Sequence, residues 1–560
     1  MNRGRRITKI VFVLLVGILL FWAVNTASRG FRESGSANAL FGLQGAMSAV
    51  AALQPVISLN LVDITAGVVA VVIVLLISLY RRFSKPERVG EEHGSARWGR
   101  PSDIKPFMNR DPKRNLWLAK DIGLNLERAA KPEHQRNLNV TVLGASGSGK
   151  SRFFVVPNLI RGLSSGLVVD PKGELLKMTG TALAEAGYRI RVLNLIDFAS
   201  SDGFNPLQYL RPGHEPEDVA LLVRNIITNT SVEGRQTGGD PFWERAESAL
   251  LTALISYVAA ACPIGERHMG TVIDLLGKMQ AAEAGSVNEI DDIFAAVAMG
   301  GAGGNELLQF AASQYGIYTQ AATETAASII VTAGVRLAPL YIPAVRRLLT
   351  VDTLKLDTVG FEPTMLFLII SDADKQFSWL ASTVFTTFFQ RSIYLADRQP
   401  DRQLPIPVMC WMDEFANIGK IPDFEVLAAT IRSRRISFAA VVQDIGQGKR
   451  VYKEGWNSII GNCDTVLFLG SADAETKKWV SEHLGKQTIR TIDTSTSHGR
   501  NASSSQQRKT IGRELLSADE IGRIPGNQAL VLIRGLPPFR AQKLSPVPEG
   551  RPYVHANNMP

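Results

Sequence analysis

The sequence predicts an α/β protein: a mainly parallel sheet, an all-α domain inserted into it, and a two-helix apolar lead. Three observations carry this. From Leu138 onward, short continuous apolar runs alternate with helix-competent stretches, as expected of strands buried on both faces of a parallel sheet. Residues 206–350 break the alternation, with apolar residues recurring at helical spacing instead. Two long apolar stretches, Ile7–Val24 and Ile64–Tyr80, precede both regions.

Each of those stretches is close to the ~20 residues that span a bilayer. Arg3, Arg5, Arg6 and Lys9 lie at the start of the first, and Arg81, Arg82 and Lys85 follow the second. The segment between them carries only Arg29 and Arg32 as basic residues. The positive-inside rule then puts both ends in the cytosol and a short loop outside. Residues 1–83 read as a two-pass membrane anchor with helices at about 7–24 and 64–80. A signal peptide would need a small-x-small cleavage site, and no clear one follows the first stretch. Some of the net charge of +9 is the arginines flanking these segments, so the charge balance is only a weak pointer to nucleic acid. Three scattered cysteines give no disulfide framework, and the seven histidines show no metal-ligand spacing.

Residues 84–137 form a polar, proline-punctuated lead-in. The sheet domain comprises 138–205 and 351–545. Its strand candidates are Leu138–Leu143, Leu167–Asp170, Ile190–Leu195, Met365–Ile370, Pro407–Met412, Ile436–Val442, Thr465–Leu469 and Ala529–Ile533. Helices are expected at Phe424–Arg435 and Ala474–Leu484. Pro157 should kink the helix that starts at Lys150. Within the insertion, Trp243–Val258, Thr271–Met279 and Ala326–Leu337 have helical periodicity, and Met299–Gly304 reads as a flexible loop. Residues 490–512, rich in Ser, Thr, Asn, Gln and Arg, read as a mobile surface excursion, and 546–560 as a flexible tail.

The chemistry starts at residues 144–151. Gly144, Ala145, Ser146, Gly147, Ser148, Gly149, Lys150 and Ser151 match GxxxxGK[ST], with a strand before and a helix after. The glycines let backbone N–H groups curl around phosphate oxygens, and the helix N-terminus adds positive potential. Lys150 is placed to reach the β- and γ-phosphates of ATP, and Ser151 to ligate Mg²⁺. A second apolar strand ends in Asp413 and Glu414. Asp413 suits the Mg²⁺ site and Glu414 suits activation of the attacking water. A third ends in Gln443, which can bond both γ-phosphate and water. A chance Gly/Ser turn and a solvated acidic turn are the plain alternatives, and the two motifs together outweigh them. Arg432, Arg434 and Arg435 precede the Gln443 strand. One of them could act as an arginine finger on a neighbour's nucleotide; helix-terminus compensation is the plain reading of the set.

Further motifs give a resemblance. His93-Gly94-Ser95-Ala96-Arg97-Trp98, Val156-Pro157-Asn158-Leu159, Val168–Glu174, Phe242-Trp243, Asp413–Gly419, Ile460–Asp464 and Arg513–Leu516 are together similar to the coupling proteins of type IV secretion and conjugation systems, the TraG-type ATPases. The resemblance covers nearly the whole chain. It implies a RecA-like P-loop motor, an all-α domain and a two-helix anchor. It also implies a DNA-stimulated ATPase forming a hexameric ring in the cell membrane. Such a ring would receive a relaxase–single-stranded DNA complex and pass it to the components of a secretion channel. Relatives often carry a longer Gln-rich run after the sensor strand, where this chain has Gln443-Asp444-Ile445-Gly446-Gln447, leaving the part played by Gln447 open. Two rival readings are a DNA translocase of the chromosome-segregation type and a docking scaffold that binds ATP without turnover. The long insertion speaks against the first and the intact Asp413-Glu414 pair against the second.

Overall fold

The computed structural model describes residues 3–34, 39–53, 56–83, 91–231, 241–281, 288–321, 323–497, 503–548 and 550–555. It forms two units, Met1–Glu92 and His93–Pro560. The first contains helices α1 (Arg3–Glu33), α2 (Ala39–Ala51) and α3 (Leu61–Phe83). α1 and α3 contain the two apolar stretches, and α2 occupies the segment expected as a short loop. Small residues let the helices approach closely: a Cβ on Gly30 would meet Gly45 O at 2.4 Å. Asp63, fully buried, accepts hydrogen bonds from Ser28 and Ser58 and pairs with Arg32 at 3.0 Å. The side chains of residues 1–14 and 78–79 lie outside the described residues. Among the described residues, no helix is long and apolar enough to cross a membrane.

The second unit is built on a nine-stranded sheet. Before it come β1 (Asn115–Ala119) and β2 (Ile122–Asn125), an antiparallel pair inside the lead-in. The sheet strands are β3 (Val140–Gly144), β4 (Ser165–Pro171), β5 (Arg189–Asn194), β6 (Thr364–Ile370), β7 (Val408–Met412), β8 (Ile436–Val442), β9 (Thr465–Gly470), β12 (Gln528–Ile533) and β13 (Phe539–Gln542). Between them in sequence, β10 (Lys486–Ser497) and β11 (Ser503–Glu514) form a separate two-stranded sheet. The order is β13-β12-β9-β3-β8-β7-β4-β6-β5, parallel from β9 to β5, with β12 antiparallel to both neighbours. Each of the eight apolar runs read from the sequence supplies one of these strands, and β13 was not foreseen. The runs are continuous because both faces are covered. In β8, Phe438, Ala440 and Val442 enter one core while Ala439 and Val441 enter the other.

One core also takes Leu116 and Leu124 of the hairpin, Val155 and Val156 after the phosphate loop, and Leu175 and Leu183 of α4 (Glu174–Glu185). The kink at Pro157 takes the form of a π turn, Ser151–Val155, followed only by Val156–Leu159. Proline has no N–H for the helical ladder, and the wider turn accommodates it.

The other core runs into the insertion. Its helices of eight residues or more are α5 (Glu215–Thr230), α6 (Pro241–Ala261), α7 (Met269–Ala281), α8 (Glu289–Ala296), α9 (Glu306–Thr319) and α10 (Thr323–Arg336). The chain enters and leaves side by side: Phe204 N donates to Leu348 O at 2.7 Å and Leu354 N to Gly203 O at 3.0 Å. After it come α11 (Ser378–Asp397), α12 (Phe424–Thr430), α13 (Ile445–Tyr452), α14 (Gly455–Gly461) and α15 (Ala474–Leu484).

One expectation is corrected and two are refined. The helix expected over Phe424–Arg435 stops at Thr430, and a 3₁₀ turn, Ile431–Arg434, carries the arginines. The described part of 490–512, the segment expected as a mobile surface excursion, is paired: β10 and β11 run in unbroken register from Lys486↔Glu514 to Ser497↔Ser503, and 498–502 lie outside the described residues. The backbone pairing satisfies a segment whose polar sequence gave no strand signal. Of the tail expected as flexible over 546–560, residues 549 and 556–560 lie outside the described residues, and two of the others pack on the motor. Tyr553 and Val547 pack against the α4 side of the sheet, and a Cβ on Gly180 would meet Tyr553 Cβ at 2.7 Å.

Candidate functional site

β3 ends at Gly144, and the phosphate loop turns back over the carboxyl edge of the sheet. Gly147 (φ 76°) and Gly149 (φ 80°) adopt left-handed backbone, which residues with a Cβ rarely do. A Cβ on Gly149 would also meet the Phe153 ring at 2.3 Å. Ala145 N donates to Gly470 O at 2.8 Å, tying the loop to β9. Lys150 is 7% exposed, and its Nζ donates to Gly144 O at 2.8 Å. A buried ammonium capped by carbonyls, with Glu414 Oε1 at 3.8 Å, is a concentrated positive charge beneath the loop.

β7 ends two strands away in the order and brings its acidic pair to the same edge. The Ser151 hydroxyl donates directly to Asp413 Oδ2. Residues 262 positions apart thus place a hydroxyl and a carboxylate where one cation could bridge them. Burial, with Glu414 beside it, raises the Asp413 carboxyl to about 6 against the opposing hydrogen bond from Ser151. Glu414 has φ 58°, an uncommon conformation for a residue with a side chain. It is held there because Phe415 is fully buried, stacked 5.3 Å from Tyr452 and 5.9 Å from Trp456. Strain of this kind persists where the surroundings over-determine it.

β8 delivers Gln443. Its Nε2 donates to Glu414 Oε1 at 3.1 Å and Oε2 at 3.3 Å. Gln447 joins the same carboxylate: its Nε2 donates to Glu414 Oε2 at 3.4 Å, and its Oε1 accepts from Gln443 N at 2.8 Å. Asp444 caps this turn by accepting from Gln447 N at 2.7 Å. The part left open for Gln447 is therefore visible: with Gln443 it holds Glu414. The i,i+4 spacing across a helix start was the available signal.

Asp170, at the end of β4, is fully buried and accepts N–H bonds from Leu175 and Leu176 at 3.0 and 2.8 Å. Desolvation raises its carboxyl to about 7, with smaller contributions from Asp413 and Glu174, and outweighs the two N–H bonds. Lys172 reaches outward to Asp372 at 2.8 Å. Lys543, which sequence reading passed over, is 8% exposed and donates to Ser148 O at 2.8 Å and Leu469 O at 2.9 Å.

Lys150, Ser151, Asp170, Lys172, Asp413, Glu414, Gln443 and Gln447 line one cleft of about 920 Å³. The arginines stand apart from it. Arg434 pairs with Asp397 through two bonds of 3.0 Å, and Arg435 donates to Leu404 O and Pro405 O. Arg432 is exposed and, among the described residues, makes no side-chain hydrogen bond or ion pair. Among the described residues there is no group of three or more His, Cys, Asp and Glu that could hold a metal by itself. A cation here would draw most of its ligands from phosphate and water, as Mg²⁺ commonly does.

Known proteins share this architecture. The VirD4 protein of Rhizobium rhizogenes is 22% identical over 507 residues, 86% of this chain and 68% of that protein. A conjugal transfer protein TraG of Escherichia coli is 26% identical over 477 residues, 78% of this chain and 71% of that one. The chain spans 58% of the length of the VirD4 protein of Agrobacterium fabrum, at 22% identity over 72% of this chain. Among solved structures, the bacterial conjugative coupling protein TrwBdeltaN70 in complex with sulphate superposes with a TM-score of 0.58 at 15% identity, over 82% of this chain and 96% of that one. The plasmid coupling protein TrwB in complex with ADP and Mg²⁺ gives 0.56 at 14%, over 84% and 99%. At these identities the structural likeness is one of fold. The family described as Type IV secretory system Conjugative DNA transfer matches residues 106–545, most of the chain and all of the site just described, and the protein belongs to that family.

Proposed function

We propose that the protein is a membrane-anchored ATPase that couples nucleotide hydrolysis to the transfer of a relaxase–single-stranded DNA complex into a type IV secretion channel. One observation carries the ATPase reading: the Ser151 hydroxyl meets Asp413, while Glu414 beside it is held by Gln443 and Gln447. Loop, acidic strand end and sensor strand thus converge on one point. Backbone N–H groups of 144–151 would hold the phosphates, and Lys150 would leave its carbonyl partners for the β- and γ-oxygens. Ser151 and Asp413 would hold Mg²⁺, which neutralises charge on the phosphates when bound. Glu414, anchored by two amides, would take the proton of the attacking water, and Gln443 would orient that water. Of the three arginines, Arg432 is the one whose guanidinium has no hydrogen-bond or ion-pair partner among the described residues, which favours it as the finger toward a neighbouring copy in a hexameric ring.

The membership of the family supports DNA transfer as the work done, and the insertion, with no catalytic constellation of its own, is suited to docking a partner. The apolar stretches and their flanking charges support an inner-membrane anchor with the motor in the cytosol; C-terminal reporter fusions active only outside the cytosol would overturn that topology. The central test is Lys150→Ala. It should abolish ATP hydrolysis, with and without single-stranded DNA, while the melting profile keeps its shape. Hydrolysis at the unaltered rate would refute the site.

A further inference from the structure

Beyond the phosphate end of the cleft, one segment is unaccounted for. After β13 the chain continues along the site. Lys543 binds the carbonyls of Ser148 in the phosphate loop and Leu469 in β9. Its ammonium also sits 5.4 Å from the Phe153 ring centroid. Pro546, Val547 and Pro548 then line the same cleft as Lys150 and Glu414. Tyr553 lies against Gly180 of α4, and His555 Nε2 is 3.2 Å from Asp202 Oδ2. Asp202 in turn accepts from Val192 N in β5.

The segment therefore runs from the β9 side of the sheet to its β5 edge. Those strands are six places apart in the order, a span of about 29 Å at about 4.8 Å per strand. The stretch from Lys543 to His555 reaches about 40 Å when extended. It is long enough to cross, held at Lys543 by two hydrogen bonds and at the far end by Tyr553 packed on Gly180, with His555 beside Asp202.

The cleft beneath it has two chemically different ends. Lys150, Ser151, Asp413, Glu414, Gln443 and Gln447 make one end charged and hydrogen-bonding. Val156, Leu175 and Met178 with Pro546–Pro548 supply the apolar surface of the other, whose neighbours in the lining include the charged Arg152, Lys172, Glu174 and Asp372. A nucleotide whose γ-phosphate lies by Glu414 must lead its nucleoside away from it, toward the apolar end. Resting on the nucleotide-site reading, we infer that the described residues 543–548 and 550–555 form a strap across the cleft, and that Pro546, Val547 and Pro548 are the wall against which the base and ribose of the bound nucleotide pack. The wall selects for a nucleoside by apolar contact, while Lys543 fixes the wall's position relative to the phosphate loop.

The test compares two probes on the full-length protein: Mg²⁺–ATP, which has a nucleoside, and inorganic tripolyphosphate, which has none. Val547→Ser removes the apolar contact without adding charge, and Val547 is only half-buried. Truncation after Leu544 removes the wall altogether. Both should weaken ATP binding, by about tenfold for the truncation, and leave tripolyphosphate affinity unchanged. ATP affinity unchanged in the truncated protein, or equal loss for both probes, would overturn the strap. If the unaltered protein binds neither probe, the nucleotide-site reading falls and the strap with it.

Discussion

Glu414 combines three features that rarely meet by chance: positive φ, two side-chain amide partners and a buried lysine at 3.8 Å. Each fixes the carboxylate in one place, as a water-activating base needs. Glu414→Gln should retain Mg²⁺–ATP binding and slow hydrolysis by roughly 10²–10⁴-fold, the range general-base catalysis supplies. Single-turnover rates beside a binding titration check this, and loss of binding together with unfolding would show a structural part instead. Asp170 makes a prediction about pH. The folded protein keeps its proton up to about pH 7, whereas an unfolded aspartate releases it near 3.8. Folding therefore takes up a proton between these values, and this carboxyl's contribution to stability is lost as pH rises from about 4 to 7. Asp170→Asn should flatten that part of the stability profile, measured by urea unfolding at several pH values; an unchanged slope would assign it to other groups. At this scale the sequence was legible wherever a motif fixes backbone and side chain together, as at Lys150, Ser151, Asp413 and Glu414. Gln447 and Lys543 were not, because their positions depend on a helix register and on a distant strand returning to the loop.

Among the elements, the central strands were legible because burial on both faces leaves a continuous apolar run. The β10–β11 hairpin left no such trace. Ile489 and Ile492 are three residues apart and so lie on opposite faces of β10, giving no apolar alternation to read; only across the ladder does Ile489 meet an apolar partner, Ile511. β1 and β2 were obscured by the polar residues around them, and β13 is too short to register as a run. The insertion's helices were legible by period, but not what joins them. Arg336 of α10 binds Glu247 of α6 through bonds of 2.6 and 2.9 Å and donates to Thr230 Oγ1 of α5 at 2.7 Å. The pair is 12% and 4% exposed. Arg336→Leu would strand a buried carboxylate, which costs about 3–5 kcal/mol. A lower denaturation midpoint with ATP binding retained is the expected outcome; loss below 1 kcal/mol would mean that solvent reaches Glu247.

At the scale of the whole molecule, the insertion is not a detachable module. One core contains Leu143, Leu167 and Phe438 of the sheet together with Leu222, Val223 and Ile226 of α5. α5 also binds the motor directly. Asn225 Nδ2 donates to Thr386 Oγ1 at 2.9 Å, and Asn229 exchanges bonds with Lys420, Nδ2 to its carbonyl at 2.9 Å and Oδ1 from its N–H at 2.6 Å. Lys420 lies just beyond the turn that carries Glu414, so α5 braces the acidic strand end from behind. The boundary that matters mechanically falls after α5, whereas the sequence suggested 206, where the apolar period changes. Two deletions separate these views. Replacing 241–336 with a Gly/Ser linker should leave Mg²⁺–ATP binding largely intact. Replacing 206–350 removes Leu222, Val223 and Ile226 as well, at about 1.5–3 kcal/mol each, a loss comparable with the whole stability of a typical domain, about 5–15 kcal/mol. The wider deletion should therefore lose both the cooperative melt and nucleotide binding. If it binds Mg²⁺–ATP as tightly as the narrower one and melts at the same temperature, α5 belongs to the insertion alone and the shared core does not support the site.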